Sequence, residues 1–450
     1  MGSILTSLLN STGALNVYGN VFSNIQNNIA NVNTPGYAKQ EQSLSPSGGP
    51  AGGVQLGPLI SSRSQYLEQA VRTQQEQVGG ASQKAQDLPQ VQSLFDVTGK
   101  SGPALALNNF FNSFSQLSVN PNDAVQRQNV LISASDAAQA IQQNAAGIAN
   151  TSSNLDGQTR NQITTVNQLA QQIADLNHHY QSDPQSATNP GLDAQANAAL
   201  ENLSQVVHFS TVKAPDGTYS VYIGGQTPLV VGANTYKISA DFSGPQTAVN
   251  DAQGKDITGQ LQNTGGSLGA LLQEKNTTLP GYTNSLNTVA QNFADAVNAT
   301  LAQGVDQSGN PPTTNLFTYN AAQGAAYTLQ VNNLAPGQIA AATAAAPGGN
   351  GNALAVANLA TQPLTGGFTL SQGYGNLAAQ VGRDVSHAQQ DETTGRNLLN
   401  QAQQQRQQVS GVSLDEEAAK LLQFQQSYQA VGRFVGILKS LTDTLMTMTQ

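Results

Sequence analysis

Apolar residues recur near the start of the chain at alternating steps of four and three residues. The positions are Ile4, Leu8, Leu15, Tyr18, Phe22, Ile25, Ile29 and Val32, with Ser11 in the same series. This alternation is typical of the seam of a coiled coil, in which one helix lies along another. We therefore expect a helix here that needs a partner.

The apolar series stops at a short segment with the composition of a turn, made of Asn33, Thr34, Pro35, Gly36 and Tyr37. Pro35 disfavours helical geometry at Thr34, and Gly36 can adopt the positive φ that the third position of a type II turn requires. The sequence therefore predicts that the helix ends in a sharp turn.

A second series with the same spacing lies at the other end of the chain. Its apolar members are Leu414, Leu421, Phe424, Tyr428, Val431, Val435, Leu438 and Leu445, and Glu417 and Thr442 occupy the same series. Ser413 and Glu416 have the spacing of a capping box, which marks a helix start. We expect the two series to pair with each other. The alternative is that each helix docks separately on a helical bundle.

Between the termini, the period of the apolar residues changes twice from helical to strand-like. Short β-rich runs separated by Gly-rich turns indicate strands between Val206 and Ala240, and Tyr327–Val331 is a further strand candidate. The segment from Ser43 to Pro58, rich in Gly, Pro and Ser, is expected to be an extended arm.

The pattern predicts a mainly α-helical fold with inserted β structure, namely paired terminal coiled-coil helices, a bundle of long helices and a small β-rich outer domain. The predicted domains are a coiled-coil domain (1–37 and 413–450), a helical bundle (38–204, 265–303 and 352–412), a β-rich insertion (205–264) and a short β-containing excursion packed with the outer domain (304–351).

Composition restricts the possible partners. Of the 450 residues only 10% are charged, and the net charge is -9. A nucleic-acid-binding surface is not expected, because binding to phosphate depends mainly on Lys and Arg. No apolar run approaches the roughly 20 residues of a membrane span, so membrane insertion is not expected either. The absence of cysteine excludes disulfides.

No group of residues has the spacing of a catalytic or metal site. His178 and His179 are adjacent, so they point to different sides of a helix, and Asp415, Glu416 and Glu417 fall in the first turn of a helix, where the dipole stabilises negative charge. We expect neither enzymatic activity nor a cofactor.

Several motifs carry a resemblance to a known family. The segment from Ala30 to Tyr37 resembles a motif shared by flagellar rod, hook and junction proteins. Four further stretches resemble the flagellar hook-associated protein 1 family in particular: Phe110–Pro121 with Arg127, Gly265–Leu272 with Leu279–Pro280, Gly304–Asp306 and Ser410–Ala419. Because the first motif is shared, a hook or distal-rod subunit is the alternative.

The resemblance implies a structural subunit at the junction between the flagellar hook and filament. Members of this family pair their terminal helices in the inner wall of the axial structure and form a ring of identical subunits. The implied partners are the hook protein and a second hook–filament junction protein. The resemblance also implies secretion, as an unfolded chain, through the flagellar type III export apparatus, with an export chaperone on the C-terminal region.

Overall fold

The computed structural model describes residues 2–47, 52–96, 100–262, 264–364 and 367–448. The helices are α1 (Gly2–Ala30), α2 (Gln65–Gln92), α3 (Gly102–Val119), α4 (Ala124–Ser182), α5 (Pro190–Val206), α6 (Thr258–Gln262), α7 (Ser267–Gln273), α8 (Leu279–Leu301), α9 (Ala325–Thr328), α10 (Gly351–Asn358), α11 (Leu370–Ser410) and α12 (Leu414–Met448). A π-helical turn, Glu274–Thr278, lies between α7 and α8.

The strands are short and pair antiparallel. They are β1 (Gln40–Pro46), β2 (Val54–Ser61), β3 (Phe209–Lys213), β4 (Tyr219–Ile223), β5 (Thr227–Val231), β6 (Asn234–Thr235), β7 (Ser239–Asp241), β8 (Ala248–Asn250), β9 (Gly304–Val305), β10 (Phe317–Thr318), β11 (Gln330–Val331) and β12 (Ala342–Thr343). Long helices with small sheets confirm the predicted fold class. Among the described helices, none has the length and apolarity of a membrane span.

The chain divides into two compact units. The first unit comprises Met1–Gly79, Thr164–Ile238 and Thr394–Gln450, and the second comprises Gly80–Ile163 and Ser239–Thr393. The division falls within the predicted β-rich insertion at 205–264, because β3 to β6 belong to the first unit and β7 and β8 to the second. The four-domain boundaries remain a prediction.

In the first unit, a four-stranded sheet in the order β3-β4-β5-β6 packs on the end of α4. Asn177 of α4 fixes this sheet, since its side-chain amide donates to the carbonyl oxygens of Tyr219 and Gly232 at 2.7 Å, and its Oδ1 accepts from the Tyr219 amide. The amide side chain thus satisfies strand groups that would otherwise be buried without partners.

A β-hairpin follows the first helix, where the sequence predicted an extended arm. β1 and β2 pair from Gln40 opposite Ser61 to Pro46 opposite Val54, and both strands contact α1. Leu44, Leu56 and Leu59 supply apolar side chains to the hairpin, so a segment rich in Gly, Pro and Ser still forms a paired structure. Residues 48–51, between the two strands in sequence, lie outside the described part of the chain.

The second unit has a large core built around aromatic rings. Phe110, Phe111, Phe114, Phe293 and Phe317 form a set of edge-to-face and tilted contacts, with the Phe293 and Phe317 ring centroids 4.7 Å apart. Such pairs stabilise a core beyond the effect of buried area. α3, α8 and β10 are held together in this way.

The excursion at 304–351 belongs to the second unit, and its buried residues join the aromatic core. Strand β11 occupies only Gln330–Val331, and the predicted strand at Tyr327–Val331 is wrong in its first half, because α9 extends to Thr328. Arg127 holds the excursion in place and is only 2% exposed. Its Nη1 donates to the Ile339 carbonyl oxygen at 2.7 Å, and its Nε donates to the Pro121 carbonyl oxygen.

Candidate assembly site at the terminal helix pair

The first predicted seam lies along one face of α1. Within this seam Ile25 is buried, as is Ser11, and the remaining positions are half-buried: Ile4, Leu8, Leu15, Tyr18, Phe22, Ile29 and Val32. The helix itself ends at Ala30, just before the predicted turn. The structure therefore brings the seam residues of α1 onto one continuous surface.

The second predicted seam lies along α12, which packs against α1. Leu438 is buried, Leu421, Phe424, Val431 and Val435 are half-buried, and Leu414, Tyr428 and Leu445 are exposed by at least 38%. Two ring contacts join the helices: Tyr18 lies 6.0 Å from Phe424, and Phe22 lies 5.9 Å from Tyr428.

The two terminal helices run antiparallel. Towards the end of α1, Asn28 donates from Nδ2 to Oε2 of Glu417, in the first turn of α12, at 3.1 Å. The rings of Tyr18 and Phe22, earlier in α1, instead meet Phe424 and Tyr428 further along α12. The end of one helix therefore lies beside the start of the other.

A second apolar stripe of α12 is left exposed by the residues that the structure describes. Phe434, Ile437, Leu441 and Met448 recur at helical spacing and are exposed by 49%, 58%, 49% and 78%. At 3.6 residues per turn this stripe lies roughly a third of a turn away from the seam. We call these four residues the outer stripe.

The sequence reasoning missed a second buried face on α1. Val17 and Val21 are at most 6% exposed, more deeply buried than the seam rings. One and two turns further on, Asn24 and Asn28 donate from Nδ2 to the Gln40 carbonyl oxygen of β1. Val17 and Val21 share the helical face of these asparagines, so α1 packs on the hairpin as well as on α12.

Asn28 is the centre of a buried polar group at the base of the helix pair. Its Oδ1 accepts from the Tyr37 hydroxyl at 2.9 Å and from the Gln40 backbone amide at 3.0 Å. Its Nδ2 donates to the Gln40 carbonyl oxygen and to Oε2 of Glu417. Asn28 and Glu417 are each 1% exposed. Burial and, secondarily, the Glu417 charge raise the pKa of Tyr37.

The predicted turn forms at the end of α1, where the Tyr37 amide donates to the Thr34 carbonyl oxygen at 3.1 Å. Gly36 has a φ of 75°, and a Cβ there would lie 2.5 Å from the Ala194 carbonyl oxygen of α5. Both the conformation and the space therefore require glycine. Asn33 and Pro35 of the turn are exposed.

An ionic network holds the turn in place within the first unit, and no pattern in the sequence predicts it. Arg63 donates to the Gly36 carbonyl oxygen, to Glu68 at 2.6 Å and to Asp193 at 2.7 Å. Arg406, near the end of α11, contacts Glu68 at 3.1 Å. Arg63, Glu68 and Arg406 border a cleft of about 300 Å³ beside the turn. The network joins segments that are far apart in the sequence.

The start of α12 has half of the predicted capping box. The Glu416 amide donates to the Ser413 hydroxyl at 3.4 Å, but the Glu416 carboxylate binds Lys420 and Lys39 instead of the Ser413 amide. Hydrogen bonds from Lys420 and Lys39 lower the pKa of Glu416. The two half-buried lysines offer a stronger partner for a carboxylate than a neutral amide does.

The candidate catalytic and metal-binding residues do not form a common site in the described part of the chain. His178 and His179 are exposed on the last turns of α4. Over the described ranges, no group of three or more His, Cys, Asp or Glu side chains is placed to hold a metal ion. The distinctive surface of the first unit is therefore the terminal helix pair with its outer stripe.

Comparison with known proteins agrees with this geometry. The sequence profile described as the flagellar hook-associated protein FlgK helical domain matches residues 88–317, just over half of the chain. The chain belongs to the flagellar hook-associated protein FlgK family. The matched range covers α3, α4 and α8, with the aromatic core that they enclose.

Relatives in this family match along their whole length. Flagellar hook-associated protein 1 of Bacillus subtilis is 27% identical, with 99% of this chain and 98% of the relative aligned. The protein of that name from Salmonella typhimurium is 23% identical, over 99% of this chain and all of the relative.

A solved structure shares the fold. The flagellar hook junction protein FlgK from Burkholderia pseudomallei superposes with a TM-score of 0.68 at 18% identity, covering 77% of this chain and 100% of that one. The FlgK resemblance predicted from the motifs is thus confirmed.

Proposed function

We propose that this chain is a structural subunit of the bacterial flagellum that forms the junction between hook and filament, and that it assembles with copies of itself through its terminal helices. The observation that carries this proposal is the pairing of α1 with α12 by seam residues from both ends of the chain, in a member of the FlgK family.

The outer stripe supports assembly with neighbouring subunits. Phe434, Ile437 and Leu441 are about half exposed on α12, whose other apolar face packs against α1. Covering a large apolar side chain contributes roughly 1.5–3 kcal/mol, so a stripe of this size favours association. In a ring of identical subunits, each copy presents the stripe at the same position.

The same stripe requires protection before assembly. We propose that an export chaperone covers the C-terminal region in the cell, and that the chain leaves unfolded through the flagellar type III export apparatus. A chain without cysteine needs no oxidative folding after export. At the junction its partners are the hook protein and a second hook–filament junction protein. No catalytic step, cofactor, nucleic acid or membrane insertion enters this role.

Deletion of the gene in the source organism tests the proposal. Cells that retain hooks but release filament protein into the medium would support a junction role. Cells without hooks would instead identify a hook or distal-rod subunit. Complementation with the intact chain must restore filaments in either case, and it serves as the control.

A further inference from the structure

The π-helical turn of the second unit carries a carboxyl group that the assembly role does not use. Glu274 is 1% exposed, and neither carboxylate oxygen has a hydrogen-bond donor among the described residues. Ionised carboxylates in protein interiors are normally paired with a cation or with several donors. A buried Glu274 carboxylate would therefore be strongly unfavourable.

An acidic neighbour of Glu274 is Asp87 of α2, which is 2% exposed. Asp87 already accepts hydrogen bonds from the side-chain amides of Gln83 at 2.6 Å and Gln158 at 3.1 Å, so each of its two oxygens has a donor. A hydrogen bond between two carboxyl groups needs a proton on one of them. Glu274 is the member without other donors, so the proton resides there.

The charged groups near Asp87 and Glu274 do not remove the proton from Glu274 at neutral pH. Burial, followed by the charge of Asp87 and the hydrogen bond with it, raises the pKa of Glu274 to about 9, and Lys84 acts in the opposite direction. The ammonium of Lys84 donates to Gln273. Tyr282, which interacts with Glu274, donates to Asp384 at 2.6 Å, and Lys275, the next residue in the chain, binds Asp156 at 2.8 Å.

The backbone at this point is unusual. The Leu279 amide donates to the Glu274 carbonyl oxygen five residues back, which is the π-helical hydrogen bond, and Pro280 has no amide hydrogen to continue an α-helical pattern. The turn is fixed on other sides by Lys275 and by Asn276, whose side-chain amide donates to the Thr247 carbonyl oxygen at 2.9 Å. These contacts fix the backbone of the turn that carries Glu274.

We propose that Asp87 and Glu274 form a buried proton-binding site: at neutral pH the two carboxyl groups share one proton, and release of that proton to water at alkaline pH weakens the π-helical turn and the second unit around it. This site is independent of the flagellar role and rests only on residues of the second unit.

The expected dependence on pH follows from proton linkage. In the unfolded chain Glu274 ionises near its ordinary value of 4.5, whereas the folded protein keeps the proton up to about pH 9. Across that interval the folded state binds one more proton than the unfolded state, so each pH unit increases the unfolding constant tenfold from this group alone. Stability is therefore lost as the pH rises.

The experiment compares the full chain with Glu274→Gln, which mimics the protonated acid. Infrared spectra at neutral pH should show the carbonyl band of a protonated carboxyl group in the wild type and lose it in Glu274→Gln. Denaturation followed by near-ultraviolet circular dichroism of the phenylalanine core should show the tenfold dependence per pH unit in wild type relative to Glu274→Gln. The matched control is Glu392→Gln, which changes a less buried glutamate of the same unit and should leave both readouts as in wild type.

The variant Asp87→Asn tests whether the Asp87 carboxylate, and not burial alone, keeps the proton on Glu274. Without the Asp87 charge, the infrared band should disappear at a lower pH than in wild type. The proposal would be overturned by the absence of the band in wild type, by equal pH dependence in wild type and Glu274→Gln, by an unchanged titration in Asp87→Asn, or by failure of Glu274→Gln to fold at neutral pH.

Discussion

Placing a charge in the seam at Phe22 should separate the terminal helices. Phe22 is half-buried and meets Tyr428 edge-to-face, with ring centroids 5.9 Å apart. Phe22→Asp removes this aromatic contact, worth about 0.5–1.5 kcal/mol, and also the apolar burial of the ring. It further places a carboxylate among apolar side chains, where burying a polar group without a partner costs about 1–3 kcal/mol.

The three effects act in the same direction and weaken the pairing by about 3–5 kcal/mol, which is about two to four orders of magnitude in its equilibrium constant. Amide hydrogen exchange followed by mass spectrometry measures this directly. Peptides from both α1 and α12 should lose protection, even though the substitution is in α1 alone. Under the proposed junction role, cells that lack the gene and are complemented with this variant should have no filaments.

The matched control is Ser23→Asp, one residue further along. Ser23 is exposed and its hydroxyl bonds only to the Gly19 carbonyl oxygen of the same helix. This variant introduces the same charge and should keep the pair intact. If Phe22→Asp left exchange in α12 unchanged, or if Ser23→Asp reduced it equally, the assignment of the seam would be refuted.

Three further substitutions test other contacts. Gly36→Ala should lower the melting temperature, because the positive φ and the Ala194 carbonyl oxygen at 2.5 Å exclude a Cβ, whereas Gly432→Ala, in open space on α12, should be neutral or stabilising by up to about 1 kcal/mol. Arg127→Met should destabilise the second unit by about 2–4 kcal/mol in chemical denaturation, because buried carbonyl oxygens lose their donor; an unchanged midpoint would contradict this. Glu417→Gln should leave exchange protection of α12 unchanged or increased, because glutamine can still accept from Asn28 and removes a buried charge whose Oε1 has no hydrogen-bond partner among the described residues and lies 4.0 Å from the Lys420 ammonium; Glu417→Ala, which removes the acceptor, should reduce it.

The seams and the turn could be predicted because their signals are local. An alternation of four and three residues fixes which side of α1 carries Ile25, and Pro35 with Gly36 fixes the type of turn that follows. The apolar period reports only which face is covered. It could not show that Val17 and Val21 would be covered by a hairpin, since the hairpin sequence is rich in turn-forming residues.

The ionic network could not be predicted because it depends on tertiary proximity. Arg406 and Glu68 are 338 residues apart, and neither has a sequence neighbour that indicates the other. Glu274 presents the same difficulty: in the sequence it is an ordinary glutamate in a polar segment. Its burial follows from the π-helical turn, and Pro280 was the only local sign of irregular helix geometry at that place.

The polar contact between Asn28 and Glu417 joins residues 389 positions apart. Closing a loop of this length has an entropic cost that grows only slowly with loop length, but the contact cannot exist until nearly the whole chain is available. The terminal helices therefore pair only when the chain is present to nearly its full length. A chain truncated anywhere before α12 leaves the seam of α1 without its partner helix, so only a chain that includes α12 can form the terminal pair.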